Sequence, residues 1–187
     1  MPQNLQEKIL IAASDLFYSQ GIRATGVDAI AKAANTTKMS LYRYFPSKDD
    51  LIVAVLRQHT ENFRTWFITQ VEAKADQPKA QLLAMFDVTS ELMTSPEFRG
   101  CALINATAEF PQETGPVHQV SAEFYDSFRH YIADLATESQ LKNPENLAFQ
   151  LSLLIEGALV SEQMKRQSGA AKQAKQAAIM LIKMSES

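Results

Sequence analysis

The chain has a single cysteine, Cys101, in 187 residues. One thiol excludes an intrachain disulfide and any structural zinc cluster built on cysteines. Glycine is scarce too: six occur and none cluster, so there is no phosphate-cradling loop and no dinucleotide-binding turn. The three histidines, His59, His118 and His130, stand far apart, and no H-E-x-x-H or G-x-S-x-G pattern is present. Catalysis therefore has no motif behind it, and no cofactor or metal ion is expected. No run approaches the roughly 18 uninterrupted apolar residues of a membrane span. The N-terminus, MPQNLQEK, is polar, unlike a signal peptide. These absences lead us to expect a cytoplasmic protein with no membrane partner. Strand-like alternation, internal repeats and low-complexity tracts are also missing.

What remains is ordinary in bulk and uneven in detail. Hydrophobic residues make up 46% and charged residues 21%, values typical of soluble globular proteins. The length suits one medium domain or two small ones sharing a core. The net charge of −3 argues by itself against a nucleic-acid binder. Its distribution argues the other way: residues 1–48 carry six basic and three acidic groups, and the other 139 carry 12 and 18. That split fits a phosphate-binding head on an acidic body.

The head centres on Thr25 to Lys48, TGVDAIAKAANTTKMSLYRYFPSK. Val27, Ile30, Ala31 and Ala34 form one apolar helical stripe. Asn35 tolerates the left-handed conformation that ends a helix, and Thr37 suits the N-cap of the next. A second short helix then spans Lys38 to Tyr44, with Leu41 and Phe45 inward. Lys38, Met39, Ser40, Tyr42 and Arg43 are left outward. Such a face suits a DNA groove, since basic groups neutralise phosphates while hydroxyls and guanidinium groups bond base edges. An ordinary helical hairpin with a solvated basic face satisfies the same periodicity.

Residues 8–52 resemble the N-terminal domain of the tetracycline-repressor (TetR/AcrR) family. The matching features are Ala12-Ala13 with Leu16-Phe17, Gly21, Thr25, Ile30-Ala31, Ala34, Leu41-Tyr42, Tyr44-Phe45 and Ser47-Lys48. Two positions depart: Asn35 and Met39 stand where the family commonly has glycine or another small residue. The run Arg99 to Asn105 with Ala108-Glu109-Phe110 is similar to the regulatory domain of one subgroup. The resemblance implies an all-α protein of about nine helices. A three-helix helix-turn-helix domain would occupy residues 1–47, and a helical ligand-binding and dimerisation bundle residues 48–187. It also implies that Thr37, Lys38, Met39, Ser40 and Arg43 meet bases, while Thr25, Tyr42, Tyr44 and Lys48 meet phosphates. Thr25 can in addition cap the helix that follows it. Lys48, in the first turn of a helix opposed to its dipole, calls for an external partner.

Read in order, residues 4–19 form a first amphipathic helix ended by Gly21. Pro46 stops the reading helix, and Ser47 with Asp50 opens a long one over 48–73. This long helix is the natural lever between a ligand pocket and the head. Further helices are expected over 79–94, 101–109, 117–138, 144–166 and 170–184. Phe110-Pro111 closes the second of these, residues 112–116 form a loop, and Asn143-Pro144 starts the fourth with a cap and an N1 proline.

Phe63, Trp66, Phe67, Met85, Phe86, Phe98, Phe124 and Phe128 are candidates for an apolar effector pocket, and equally for plain core. Asn105 and Glu109, four apart, either anchor a ligand's polar group or pair with each other or with Arg99. Cys101 is a further candidate lining residue, as a redox-sensing or an inert thiol. For a dimer interface the last two helices offer Leu151, Leu154, Ile155, Ala158, Leu159, Ala174, Ala178 and Leu181, which could also finish the core of one chain.

The function expected is a dimeric, ligand-responsive transcriptional regulator, a repressor released from a palindromic operator by a largely apolar small molecule. The alternatives are an effector-independent DNA-binding protein and a helical protein-binding adaptor that retains the fold.

Overall fold

The computed structural model describes residues 4–110, 112 and 114–186. The expected helix stop Pro111, the loop residue Glu113, the first three residues of the polar N-terminus and Ser187 lie outside the described residues. Nine helices and no strands are found among the described residues. They are α1 (Leu5–Gln20), α2 (Val27–Ala33), α3 (Lys38–Tyr44), α4 (Lys48–Lys74), α5 (Pro78–Thr94), α6 (Ala102–Glu109), α7 (Pro116–Glu138), α8 (Pro144–Met164) and α9 (Ala170–Met184). The chain divides into two compact units, Met1–Asn62 with Ala102–Ala122, and Phe63–Cys101 with Glu123–Ser187. Among the described residues, no helix is long and apolar enough to cross a membrane.

In the first unit α1, α2 and α3 pack on one another. Ile9, Ala13, Ile30 and Leu41 are fully enclosed, as the helical stripes require. Helix α1 begins with a capping box: Glu7 N–H donates to Asn4 Oδ1 at 2.9 Å, and Asn4 N–H donates to the Glu7 carboxylate at 3.2 Å. At its far end Gly21 has φ +92°, and a Cβ there would lie 3.4 Å from Glu109 Oε1. Both the backbone sign and that approach favour glycine. Between α2 and α3, Asn35 takes φ +52° as expected, and Thr36 N–H returns 2.9 Å to Ala31 O. Thr37 caps α3 by accepting Ser40 N–H at 3.1 Å. Ser47 caps α4 in the same way, accepting Asp50 N–H at 3.0 Å.

Two expected caps are corrected. The N-cap of α2 is Gly26, not Thr25, and it makes no side-chain bond. Asn143 precedes Pro144 at the start of α8 as expected, but it is left-handed (φ +51°) and its side chain makes no cap bond.

In the second unit α5, α8 and α9 pack together around a core that includes Met85, Phe86, Leu147, Leu151, Ala178 and Ile182. Lys175 of α9 reaches both oxygens of Asp87 on α5, at 2.6 and 2.7 Å. Arg166 lies over the Phe98 ring, 5.4 Å from its centroid. Helix α8 ends at Met164, and the turn into α9 is tied by buried Glu162. Its carboxylate accepts Ser168 Oγ–H at 2.8 Å, Gln167 N–H at 2.7 Å and Ser168 N–H at 3.0 Å.

These bonds, the Ser168 hydroxyl foremost, hold Glu162 below the usual carboxylate range. Because the folded pKa is depressed, the stabilisation is fully present above the unfolded value near 4.5 and is lost as pH falls through the folded value. Urea midpoints measured from pH 7 to pH 3 should therefore fall more steeply below pH ~4.5 in the wild type than in Glu162→Gln. Parallel acid limbs would show that the turn draws nothing from the ionised carboxylate.

Candidate nucleic-acid interface and effector cleft

Helix α3 carries the polar face that the sequence places there. Its buried anchor is Leu41, and Phe45 follows at 5% exposure. Thr37, Lys38, Met39, Tyr42, Arg43 and Tyr44 are exposed, Met39 at 77%, and Ser40 is half-buried. Lys38 Nζ lies 3.2 Å from Asp28 Oδ2 on α2, a solvated pair that a competing phosphate can replace at little cost.

Two of the expected phosphate contacts need revision. Thr25 is 1% exposed, and its hydroxyl donates to Gly21 O at 2.7 Å and lies 3.3 Å from Leu16 O. That hydroxyl is committed inside the fold, so its side chain leaves the contact set. Lys48 has an internal partner where an external one is expected: Nζ donates to Ile22 O at 2.6 Å. An ammonium has three donors, so protons remain for an outside oxygen.

Lys48 is one of several groups holding the connection between α1 and α2. Glu109, at the end of α6, accepts Ile22 N–H at 2.9 Å and Arg23 N–H at 2.7 Å. The Arg23 guanidinium lies over the Phe110 ring, 5.5 Å from its centroid. His118 Nε2 bonds Phe110 O in turn. Glu109 is therefore a clamp on the segment entering the helix-turn-helix and not a ligand anchor. Asn105 shares α6 with it, within the first unit.

The second unit contains a small cleft of about 240 Å³, part of it open to solvent. It brings together Phe63, Phe67, Phe124 and Phe128, as expected, and adds Arg64, Ile68, Ser127 and Tyr131. Trp66 stands outside at 39% exposure, its ring 5.7 Å from that of Phe63. Met85, Phe86 and Phe98 belong to the core cluster and line no part of this cleft. Cys101 is also elsewhere, with Sγ 3.8 Å from Tyr125 Oη. Burial, then the neighbouring Cys101 and Glu156, pushes the Tyr125 phenol well above its ordinary range.

The expected dimer residues are redistributed. Leu151, Ile155, Ala158, Ala174 and Ala178 are at most 7% exposed within one chain, and so form its core. Leu154, Leu159 and Leu181 are partly buried against that core. The outward apolar side chains are instead Phe149, Leu153 and Met164 on α8, and Ile179, Met180 and Met184 on α9. On α8 the spacing 149, 153, 157, 160, 164 draws a second stripe opposite the core-facing one. The sequence hides this choice, because α8 is apolar on most of its circumference.

A capped helix-turn-helix with an exposed basic and hydroxylic second helix, in an all-α chain, defines a DNA-binding transcriptional regulator and not an enzyme. Comparison with known proteins agrees. Residues 9–55 match the family "Bacterial regulatory proteins, tetR family", and residues 78–178 match "Tetracyclin repressor-like, C-terminal domain". The chain belongs to the TetR family. The HTH-type transcriptional regulator YjdC of Escherichia coli is 25% identical over 154 residues, 82% of this chain and 81% of that protein. The HTH-type transcriptional activator FasR of Mycolicibacterium smegmatis is 46% identical over 55 residues, 29% of this chain and 25% of its own. A TetR-family regulator from Streptomyces coelicolor has a crystal structure that superposes with a TM-score of 0.88 at 26% identity. The match covers 98% of this chain and 96% of that one.

Proposed function

We propose that the protein is a homodimeric repressor that binds a palindromic operator and is released by a small, largely apolar effector. The observation that carries this reading is the exposed face of α3 on a firmly capped helix-turn-helix. Thr37, Lys38, Met39, Ser40 and Arg43 meet base edges, and Tyr42, Tyr44 and Lys48 meet phosphates. A two-fold pair of heads sets half-sites about 34 Å apart or at a multiple of that spacing. The second copy covers the outer faces of α8 and α9, whose exposed Phe149, Leu153, Ile179 and Met180 are costly to leave in water.

Helices α4 and α7 each contribute residues to both units, which gives the effector a continuous chain path to the head. Release requires the effector to bind better to the state whose heads are wrongly spaced. The protein works where operator DNA is, in the cytoplasm.

Selection from a random duplex pool at near-physiological salt tests the reading, because affinity for DNA depends strongly on salt. A palindrome should be enriched. Arg43→Ala should flatten the preference at one position of each half-site by about 1–3 kcal/mol. An unenriched pool would sink operator recognition. Equal loss on specific and random duplex would move Arg43 from bases to phosphates.

A further inference from the structure

The phenylalanines of the second unit's cleft are already arrayed for a flat guest. Phe124 and Phe128 lie nearly parallel, with centroids 6.0 Å apart and planes 13° apart. Phe67 meets Phe128 edge-on at 5.5 Å, and Phe63 stacks on Phe67 at 5.6 Å. Against this apolar wall the fold leaves one polar atom stranded. Tyr131 Oη is closed to solvent and has no hydrogen-bond partner, the one such side-chain atom among the described residues. A buried hydroxyl normally finds a partner, and an exception calls for an explanation.

Burial, with the Glu72 carboxylate second, pushes the Tyr131 phenol up to about 12. At neutral pH it is therefore a protonated donor, and what it lacks is an acceptor. The dimensions limit that acceptor's bearer. An engineered cavity of about 150 Å³ takes one benzene, and this cleft of about 240 Å³ counts open space as well. One ring fits and a fused polycycle does not. Arg64 lines the cleft and Glu72 lies near Tyr131, so their opposite charges leave selection to the accepting oxygen and not to the ligand's net charge.

We propose that this cleft is a subsite for a compound with a single aromatic ring bearing an oxygen that accepts a hydrogen bond. The ring enters among the phenylalanines, and the oxygen takes the Tyr131 hydroxyl. The assignment rests on the ligand-responsive reading above and gives it a ligand class.

Benzoate, acetophenone and toluene, titrated into the full chain, provide the test. Trp66, the only tryptophan, sits 5.7 Å from the Phe63 ring and reports occupancy by fluorescence. Both oxygenated rings should bind at least about tenfold more tightly than toluene, as one hydrogen bond to a buried donor allows. Tyr131→Phe should erase that preference and leave toluene binding unchanged. The unliganded variant should melt no lower than the wild type, since no bond is lost. Equal binding of toluene, a preference that survives in the variant, a variant that unfolds, or no binding by any of the three would each overturn the assignment.

Operator titration separates the two layers. Benzoate that binds through Tyr131 without weakening operator binding would leave the subsite standing and remove it from the control of DNA binding. Operator release by other metabolites, with no ring compound bound, would leave the ligand-responsive reading standing and remove the subsite.

Discussion

Replacing both Leu153 and Ile179 by glutamate is expected to leave a folded monomer whose operator affinity falls by about 100- to 10,000-fold, the usual gain from tethering two binding modules. Both side chains point outward, at 50% and 45% exposure, so charge is tolerated within the single chain. In a dimer that covers these faces, four carboxylates would be buried without partners, and each such burial is strongly unfavourable. Light scattering across a concentration series reads the assembly, and operator titration reads the consequence.

The contrasting substitution is Leu151→Ala. Leu151 is fully enclosed in the core of one chain, so its truncation should cost about 2–5 kcal/mol of stability and leave the assembly as it was. A charged double variant that remains dimeric would place the interface elsewhere. A monomer from Leu151→Ala at full stability would restore the interface that the sequence first suggests.

How far these elements can be read in the sequence depends on how local their causes are. Helix α3 is legible to the residue because everything that fixes it lies within ten positions. Asn35 turns left-handed, Thr37 caps, and Leu41 with Phe45 chooses the inward face. The capping box of Asn4 and Glu7 was equally local, and a search for Asn as well as Ser or Thr three residues before Glu would have found it. Lys48 shows the limit of such reasoning. Its place at a helix N-terminus is unfavourable and does call for a partner, but the partner is the carbonyl of Ile22, 26 positions earlier.

Side chains whose roles are set by distant neighbours were out of reach. Glu109 and Asn105 share a mostly apolar helix, and nothing in that spacing points to the amides of residues 22 and 23. Helix α8 is apolar on both sides, so periodicity identified the helix and not which stripe faces the core. The four phenylalanines of the cleft were visible as aromatics at helical spacing. Tyr131 was visible only as one more residue on α7, because an unpartnered hydroxyl is a property of the packed structure.

Glu109→Ala should weaken operator binding although Glu109 is not part of the α3 face. The carboxylate accepts two main-chain donors of the connection that enters α2, and the Ile22 side of that pair is buried. A buried N–H left without an acceptor costs about 1–3 kcal/mol, while the exposed Arg23 N–H turns to water at smaller cost. Lys48 and Thr25 still hold the segment through Ile22 O and Gly21 O, so the first unit stays folded and loosens locally.

Hydrogen exchange should then accelerate at Ile22 and Arg23 by about 5- to 150-fold, the kinetic equivalent of that loss, and stay unchanged in α8. Operator affinity should fall across all sequences, since α3 loses its fixed placement and not its reading side chains. Glu109→Gln keeps an acceptor for one amide and should fall between the two. Unchanged exchange at Ile22 in the alanine variant would mean that Lys48 and Thr25 hold the connection by themselves, and Glu109 would lose its place as the clamp on the DNA-reading unit.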